Sequence, residues 1–146
     1  MNRRHRVLLC DDSVLIRAGL QEALKLEPGV LVVGEACDGQ AGIDAALQLR
    51  PDLVLMDVSM PGVDGIQATR RIVAAAPGIK VLAYSAEASW AIVRQMLNAG
   101  ARGFVLKQHG PQELLCAIRS VLAGDLFLSP GLISAHSPVH KPSAID

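Results

Sequence analysis

The residues best suited to chemistry in this chain are acidic side chains that directly follow apolar runs. Asp11 and Asp12 come after the run 7–10 (VLLC), and Asp57 comes after the run 53–56 (LVLM). Short apolar runs bounded by polar or turn residues are typical of buried strands. Ligands of open α/β sheets bind beyond the carboxyl ends of such strands, so we expect these carboxylates to face one crevice.

Carboxylates that share a crevice favour one kind of chemistry. They repel one another unless a cation joins them, and hard oxygen ligands of this charge favour Mg²⁺ or another divalent cation. A carboxylate beside such an ion can also act as a nucleophile toward phosphorus. The pattern therefore predicts aspartyl-phosphate chemistry centred on Asp57.

Two later strands end in residues that suit the same chemistry. Ser85 follows the run 80–84, Ala86 comes next, and Lys107 follows the run 103–106. Lys107 would pair with the Asp57 carboxylate and then with a phosphoryl oxygen, and Ser85 would hydrogen-bond another oxygen. The small Ala86 leaves room for a donor to approach in line. Singly, such residues are ordinary caps, turn residues and solvated charges, but their matching order at successive strand ends favours a site.

Alternating strand and helix patterns position these residues. Five apolar runs alternate with five amphipathic stretches, which predicts parallel strands joined by right-handed crossovers. The predicted fold class is α/β, a three-layer doubly wound (βα)5 sandwich of flavodoxin-like type, with a parallel five-stranded sheet of order 2-1-3-4-5. The helices are predicted at 14–26, 40–50, 64–76 and 89–99, with the last opened by Gly110-Pro111 and ended by Gly124.

The first helix carries two further expectations. Arg17, Gln21 and Lys25 recur every four residues, which predicts a solvent-exposed polar face. Gly19 costs the helix about 1 kcal/mol relative to Ala. We therefore expect Gly19 where the backbone lies close to the sheet.

Composition excludes several classes of protein. The 146 residues include 14 basic and 14 acidic side chains, so the formal net charge is zero. This balance argues against a chain whose main function is to bind nucleic acid. The three cysteines are widely spaced and favour free thiols in a cytoplasmic protein over disulfides or zinc. The basic N-terminus leads into only four apolar residues, so neither a signal peptide nor a membrane span is expected.

The motifs together resemble the receiver domain of a bacterial two-component response regulator, over about residues 6–124. The resemblance lies in Asp11-Asp12, the motif 55–62 (LMDVSMPG), Ser85-Ala86, Phe104 and Lys107. Three further segments resemble the LuxR-type (NarL/FixJ) subgroup, whose members usually continue into a DNA-binding helix-turn-helix domain: 108–111 (QHGP), 100–104 (GARGF) and 123–130 (AGDLFLSP).

The resemblance implies roles for single residues. Asp57 would accept a phosphoryl group from a sensor histidine kinase. Mg²⁺, with Mn²⁺ as an alternative, would be held by Asp12, Asp57 and the backbone carbonyl of Ser59, with Asp11 acting largely through water. No organic cofactor is implied.

The resemblance also implies a switch and a limited catalytic role. Ser85 and Phe104 would form the switch, with Lys107 and Ala86 completing the reactive site. The domain would be a signalling domain rather than an enzyme, catalysing only its own phosphorylation and dephosphorylation.

Domain organisation and partners follow from the same resemblance. Residues 1–125 would form the receiver and 126–146 a linker or tail, with the DNA-binding domain absent from this chain. Phosphorylation would favour a homodimer, and DNA would be contacted only through the helix-turn-helix domain. We interpret the chain as part of a transcription factor; a stand-alone receiver that acts by protein contact stays open.

Two other classes of protein share parts of this pattern. A haloacid-dehalogenase-like phosphatase also uses an aspartate nucleophile and Mg²⁺, but its Asp-x-Asp motif does not match Asp11-Asp12-Ser13, and no cap insertion is visible. A flavodoxin-like flavin or nucleotide carrier would need a Gly- or Ser/Thr-rich phosphate loop there, where two carboxylates would instead repel phosphate.

Overall fold

The central strand of the sheet is β3 (Leu53–Met56), whose four side chains are all buried. It lies between β1 (His5–Cys10) and β4 (Lys80–Ser85), with β2 (Val30–Ala36) beyond β1 and β5 (Gly103–Leu106) beyond β4. The computed structural model describes residues 3–87 and 89–132. All these pairings are parallel, and the predicted order 2-1-3-4-5 is confirmed.

Helices cover both faces of the sheet. On one face lie α1 (Val14–Lys25) and α5 (Pro111–Leu122), and on the other lie α2 (Gly39–Leu49), α3 (Gly65–Ala75) and α4 (Trp90–Ala99). Because both faces are covered, the strands are apolar on both sides, as continuous runs of Val, Leu and Ile predict. The three-layer doubly wound architecture is confirmed.

Polar side chains fix where three of these helices begin. Ser13, Asp38 and Asp64 each accept a hydrogen bond from the backbone N–H three residues further on. Such caps satisfy N–H groups that have no partner within the helix. The loops after β1, β2 and β3 therefore run between a buried strand end and a capped helix, which limits their freedom.

A short sixth strand, β6 (Phe127–Leu128), extends the sheet beyond β5. The N–H of Phe127 donates to the carbonyl of Arg102 at 3.2 Å, and that of Ser129 donates to Phe104 at 3.0 Å. Two residues carry too little apolar pattern to predict a strand, which is why the sequence indicated five strands. Residues 133–146 of the predicted linker or tail lie outside the described residues.

The expectation for Gly19 is wrong. A Cβ at Gly19 would have no atom within 4 Å, so α1 does not approach the sheet there. The close approaches occur instead at Gly39 and Gly65, where a Cβ would overlap the backbone carbonyl oxygens of Val63 and Asp57. These two glycines allow the starts of α2 and α3 to pack against the loop that follows β3.

The remaining composition-based expectations concern thiols and membrane spans. Cys10, Cys37 and Cys116 are all free, and Cys10 is buried. No helix in the described ranges has both the length and the apolar character needed to cross a bilayer.

Candidate functional site

Three carboxylates from two strand ends meet at the carboxyl edge of the sheet. Asp11 and Asp12 follow β1, Asp57 follows β3, and these strands are neighbours. One oxygen from each carboxylate lies within 4.8 Å of the other two. Asp11 and Asp57 are only 2% and 5% exposed, whereas Asp12 is exposed. The structure thus brings the three predicted acids together, and we call Asp11, Asp12 and Asp57 the acidic pocket.

The Lys107 ammonium faces the acidic pocket from the end of β5. Its Nζ lies 2.8 Å from Asp11 Oδ2 and 3.3 Å from Asp57 Oδ1. Burial lowers the pKa of Lys107, but the Asp11 and Asp57 carboxylates outweigh that effect and raise it. Lys107 is therefore protonated at neutral pH and balances only one of the three acidic charges.

Asp57 is held where its ionised form is costly. Burial raises the pKa of Asp57 to about 6, and the charge of Lys107 offsets only part of this effect. The backbone N–H of Ser59 also donates a hydrogen bond to the carboxylate, which acts in the same direction as Lys107. An ionised Asp57 would therefore be stabilised by additional positive charge in the pocket.

The acidic pocket contains an oxygen that suits a metal ion. Asp11 Oδ2 is buried and pairs with the Lys107 ammonium at 2.8 Å. Asp57 shares the same ammonium, so one positive charge faces two buried carboxylates and the pocket keeps an excess of negative charge. A hard oxygen atom inside a cluster of three carboxylates fits a divalent cation such as Mg²⁺.

The structure also places the residues predicted to form the switch. Ser85 ends β4, is 1% exposed, and accepts a hydrogen bond from the N–H of Glu87 at 3.0 Å; Ala86 beside it is exposed. Phe104 lies on β5 and is fully buried in the core that α4 covers. Ser85 and Phe104 are thus on adjacent strands of the sheet.

Two residues beside the acidic pocket were not indicated by the sequence patterns. Tyr84 is one of them, because the Lys107 ammonium lies 5.7 Å from the centre of its ring, within the range of a cation–π contact. Tyr84 ends an apolar run like any strand residue, so no local pattern distinguishes it.

The second residue is Arg17, for which the predicted solvent-exposed position is wrong. Its side chain is 14% exposed, its Nη1 donates to the backbone carbonyl of Asp11, and its Nε pairs with Glu35. Gln21, one turn further on, contacts the same glutamate. The four-residue spacing grouped Arg17 and Gln21 correctly, but both contact Glu35 on β2. Lys25, in contrast, is exposed as predicted and pairs with Glu22.

The fold and the acidic pocket with its lysine define the class of receiver domains. A family model, the response regulator receiver domain, matches residues 7–119, so the chain belongs to that family. The predicted membership is confirmed, and it excludes the haloacid-dehalogenase-like and nucleotide-carrier families.

Similar proteins identify the subgroup. The response regulator UvrY of Escherichia coli (strain K12) is 37% identical over 123 residues, covering 84% of this chain and 56% of that protein. A LuxR-family two-component response regulator from Aurantimonas sp. SI85-9A1 has a similar structure, with a TM-score of 0.85 and 34% identity over 88% of this chain and 92% of that one. The isolated receiver domain of RcsB from Salmonella enterica serovar Typhimurium is also similar, with a TM-score of 0.82 and 28% identity. That match covers 89% of this chain and 96% of the RcsB chain.

These relatives place the receiver in the LuxR family of response regulators, as its sequence motifs predict. The chain spans little more than half the length of the curated relatives it matches, 56% in the case of UvrY.

Proposed function

We propose that this receiver domain accepts a phosphoryl group on Asp57 from a cognate sensor histidine kinase. The observation that carries the proposal is the Asp57 carboxylate, which is 5% exposed at the end of the central strand and lies 3.3 Å from Lys107. An Asp57 oxygen forms the new bond to phosphorus while the bond from phosphorus to the donor imidazole nitrogen breaks. The imidazole leaves with that electron pair and takes up a proton.

The residues of the acidic pocket would hold a divalent cation for this transfer. Asp12, Asp57 and the backbone carbonyl of Ser59 would bind Mg²⁺ directly, and Asp11 would act largely through water; Mn²⁺ is the alternative ion. When bound, the ion supplies positive charge to the phosphoryl oxygens and to the carboxylates around them.

Three side chains would position the phosphoryl group on Asp57. Lys107, which contacts Asp57 and Asp11, would contact a phosphoryl oxygen once the carboxylate charge is lost. Ser85 would donate its hydroxyl hydrogen to another oxygen, and the exposed Ala86 leaves a path for the donor or for water. In this account the domain catalyses only its own phosphorylation and dephosphorylation.

Mg²⁺ binding is expected to weaken in acid, because protons compete for Asp57. A carboxyl group whose pKa is raised to about 6 is ionised above that pH and becomes neutral as the pH falls through it. The apparent dissociation constant for Mg²⁺ should therefore rise about tenfold between pH 7 and pH 5. Calorimetric titration across this range measures the change, and a constant affinity would contradict the place of Asp57 among the ligands.

Phosphorylation would change the domain through Ser85 and Phe104. A phosphoryl group adds charge and three acceptor oxygens, and a hydroxyl drawn toward it would leave its hydrogen bond with Glu87. That movement at the end of β4 would alter the space around Phe104 on the adjacent β5, and with it the surface formed by β4, α4 and β5.

Ser85→Ala should accept phosphate yet lose most of the response. We expect phosphorylation to strengthen self-association of the wild type about tenfold or more, and to strengthen it only weakly in Ser85→Ala. Sedimentation velocity measures association, and intact mass measures phosphoryl occupancy in the same samples. Ser89→Ala is the control, since Ser89 is exposed and makes no side-chain cap bond. Equal association of the phosphorylated wild type and Ser85→Ala would contradict the switch.

Self-association and DNA binding would belong to two different domains of the intact regulator. Residues 1–125 would act as the receiver and 126–146 as the connection, whose first residues pack on the receiver as β6. Phosphorylation would favour a homodimer. DNA contact belongs to a helix-turn-helix domain of the kind that follows the receiver in LuxR-type regulators. Two observations support this division: the chain carries 14 basic and 14 acidic residues, and a similar protein, RcsB, forms dimers bound to DNA.

A further inference from the structure

Arg17 connects the loop that carries the acidic pair to the neighbouring strand. Its Nη1 donates a hydrogen bond to the backbone carbonyl of Asp11 at 2.5 Å. Its Nε lies 2.8 Å from Glu35 Oε1 on β2, and its side chain is only 14% exposed. One guanidinium group therefore spans the β1–α1 loop and β2.

A second residue of the same helix holds the partner of Arg17. Gln21 Nε2 donates to the other carboxylate oxygen of Glu35 at 2.8 Å. The hydrogen bonds from Gln21 and Arg17 lower the pKa of Glu35, so this carboxyl group is ionised at neutral pH. The guanidinium is therefore fixed between a charged partner and the Asp11 carbonyl.

Most polar groups of Asp11 are held by the surrounding fold. Its N–H donates to Ala36, its carbonyl accepts from Arg17, and its Oδ1 accepts from the N–H of Ser13 at 2.9 Å. The remaining polar atom is the buried Oδ2, which pairs with the Lys107 ammonium at 2.8 Å. The direction in which Oδ2 faces Lys107 therefore depends on the three contacts that fix the rest of the residue.

We propose that Arg17 is a positioning residue for the acidic pocket, acting through the backbone carbonyl of Asp11, with Glu35 and Gln21 holding it in place. The proposal rests on the proposed function, because it assumes that the pocket holds Mg²⁺. Arginine suits this role because its planar guanidinium group can donate hydrogen bonds to two acceptors in different directions. Lysine offers a single nitrogen on a flexible side chain.

The charge of Arg17 and its positioning role predict opposite effects on Mg²⁺ affinity when Arg17 is replaced by a neutral residue. A cation near three carboxylates disfavours a second cation, so removing its charge alone would tighten Mg²⁺ binding. Loss of a group that orients the pocket would weaken binding, and such outer contacts typically change metal affinity by about 10–100-fold. The sign of the change therefore separates the two roles.

The test is Mg²⁺ titration calorimetry of the full chain at pH 7.5 with Arg17→Gln and Arg17→Lys. We expect affinity to fall about tenfold in Arg17→Gln and to fall in Arg17→Lys as well, although its charge is kept. Arg102→Gln removes the same charge from an exposed residue at the opposite edge of the sheet and should bind like the wild type. Asp12→Ala, which removes a proposed ligand, should bind Mg²⁺ about tenfold more weakly than the wild type, or weaker still.

Amide hydrogen exchange of the metal-free protein gives an independent measurement. The N–H of Ser13, which donates to Asp11, should exchange about tenfold faster in Arg17→Gln, while amides of β4 keep their protection. Unchanged or tighter Mg²⁺ binding in Arg17→Gln, or unchanged exchange at Ser13, would overturn the inference. If Arg17→Gln does not fold, Mg²⁺ affinity and Ser13 exchange of Arg17→Lys test the inference instead. A wild type that fails to bind Mg²⁺ would instead contradict the proposed function, and exchange at Ser13 would still test Arg17.

Discussion

Asp57→Asn should abolish phosphorylation of the domain by acetyl phosphate and Mg²⁺. The amide has nearly the shape of the carboxylate but carries no negative charge, so it cannot form an acyl phosphate. The wild type should gain the mass of one phosphoryl group, lost on treatment with base, and the variant should gain none. Intact mass spectrometry measures both, and undiminished labelling of the variant would show that another residue accepts the phosphate.

Loss of labelling in this variant should not reflect unfolding. The pKa of Asp57 is raised by burial from 3.8 to about 6, so its ionised form is less stable in the folded chain than in the unfolded chain. Its contribution to stability is therefore full below about pH 4 and is lost as the pH rises through 6. In EDTA at pH 7.5, Asp57→Asn should melt no lower than the wild type. Asp125→Asn, which changes an exposed aspartate in the turn after α5, is the labelling control.

Gly65→Ala should destabilise the domain by about 3 kcal/mol, although alanine favours helices. The new Cβ would overlap the carbonyl oxygen of Asp57 and lie 2.8 Å from the Cα of Val58. Both are backbone atoms that no side-chain rotation can move, so either α3 or the segment carrying Asp57 must shift. Urea denaturation measures the loss of stability.

Gly19→Ala is the matched control for that experiment. It makes the same change inside α1, where the Cβ would meet no atom within 4 Å. It should stabilise the domain by up to about 1 kcal/mol. A Gly65→Ala variant as stable as the wild type would contradict the close approach of α3 to the loop after β3.

The contrast between these glycines shows what local pattern can predict. The sheet order and the meeting of Asp11, Asp12 and Asp57 could be predicted, because each strand is a continuous apolar run and parallel strands end at one edge. The need for glycine at Gly65 could not be predicted, because it comes from the backbone of Asp57 and Val58, which lies near Gly65 only in the folded chain. The cost of glycine inside a helix suggested a close approach at Gly19, where the structure instead leaves open space.

Arg17 and β6 illustrate two further limits. Polar residues spaced four apart look alike whether they face solvent or an acidic residue on the next strand, so the contact of Arg17 with Glu35 needed the packing of α1 on β2. The two residues of β6 pair with β5 through backbone atoms, which leave no mark on side-chain pattern. Both features lie in contacts between elements rather than within one.

The most direct test of the proposed function is to map the phosphorylated residue. After reaction with acetyl phosphate and Mg²⁺, borohydride reduces an aspartyl phosphate to homoserine, which peptide fragmentation locates. We predict homoserine in place of Asp57, with Asp11 and Asp12 unchanged. Homoserine in place of Asp11 or Asp12, or an unmodified Asp57 in fully phosphorylated protein, would contradict Asp57 as the phosphoacceptor.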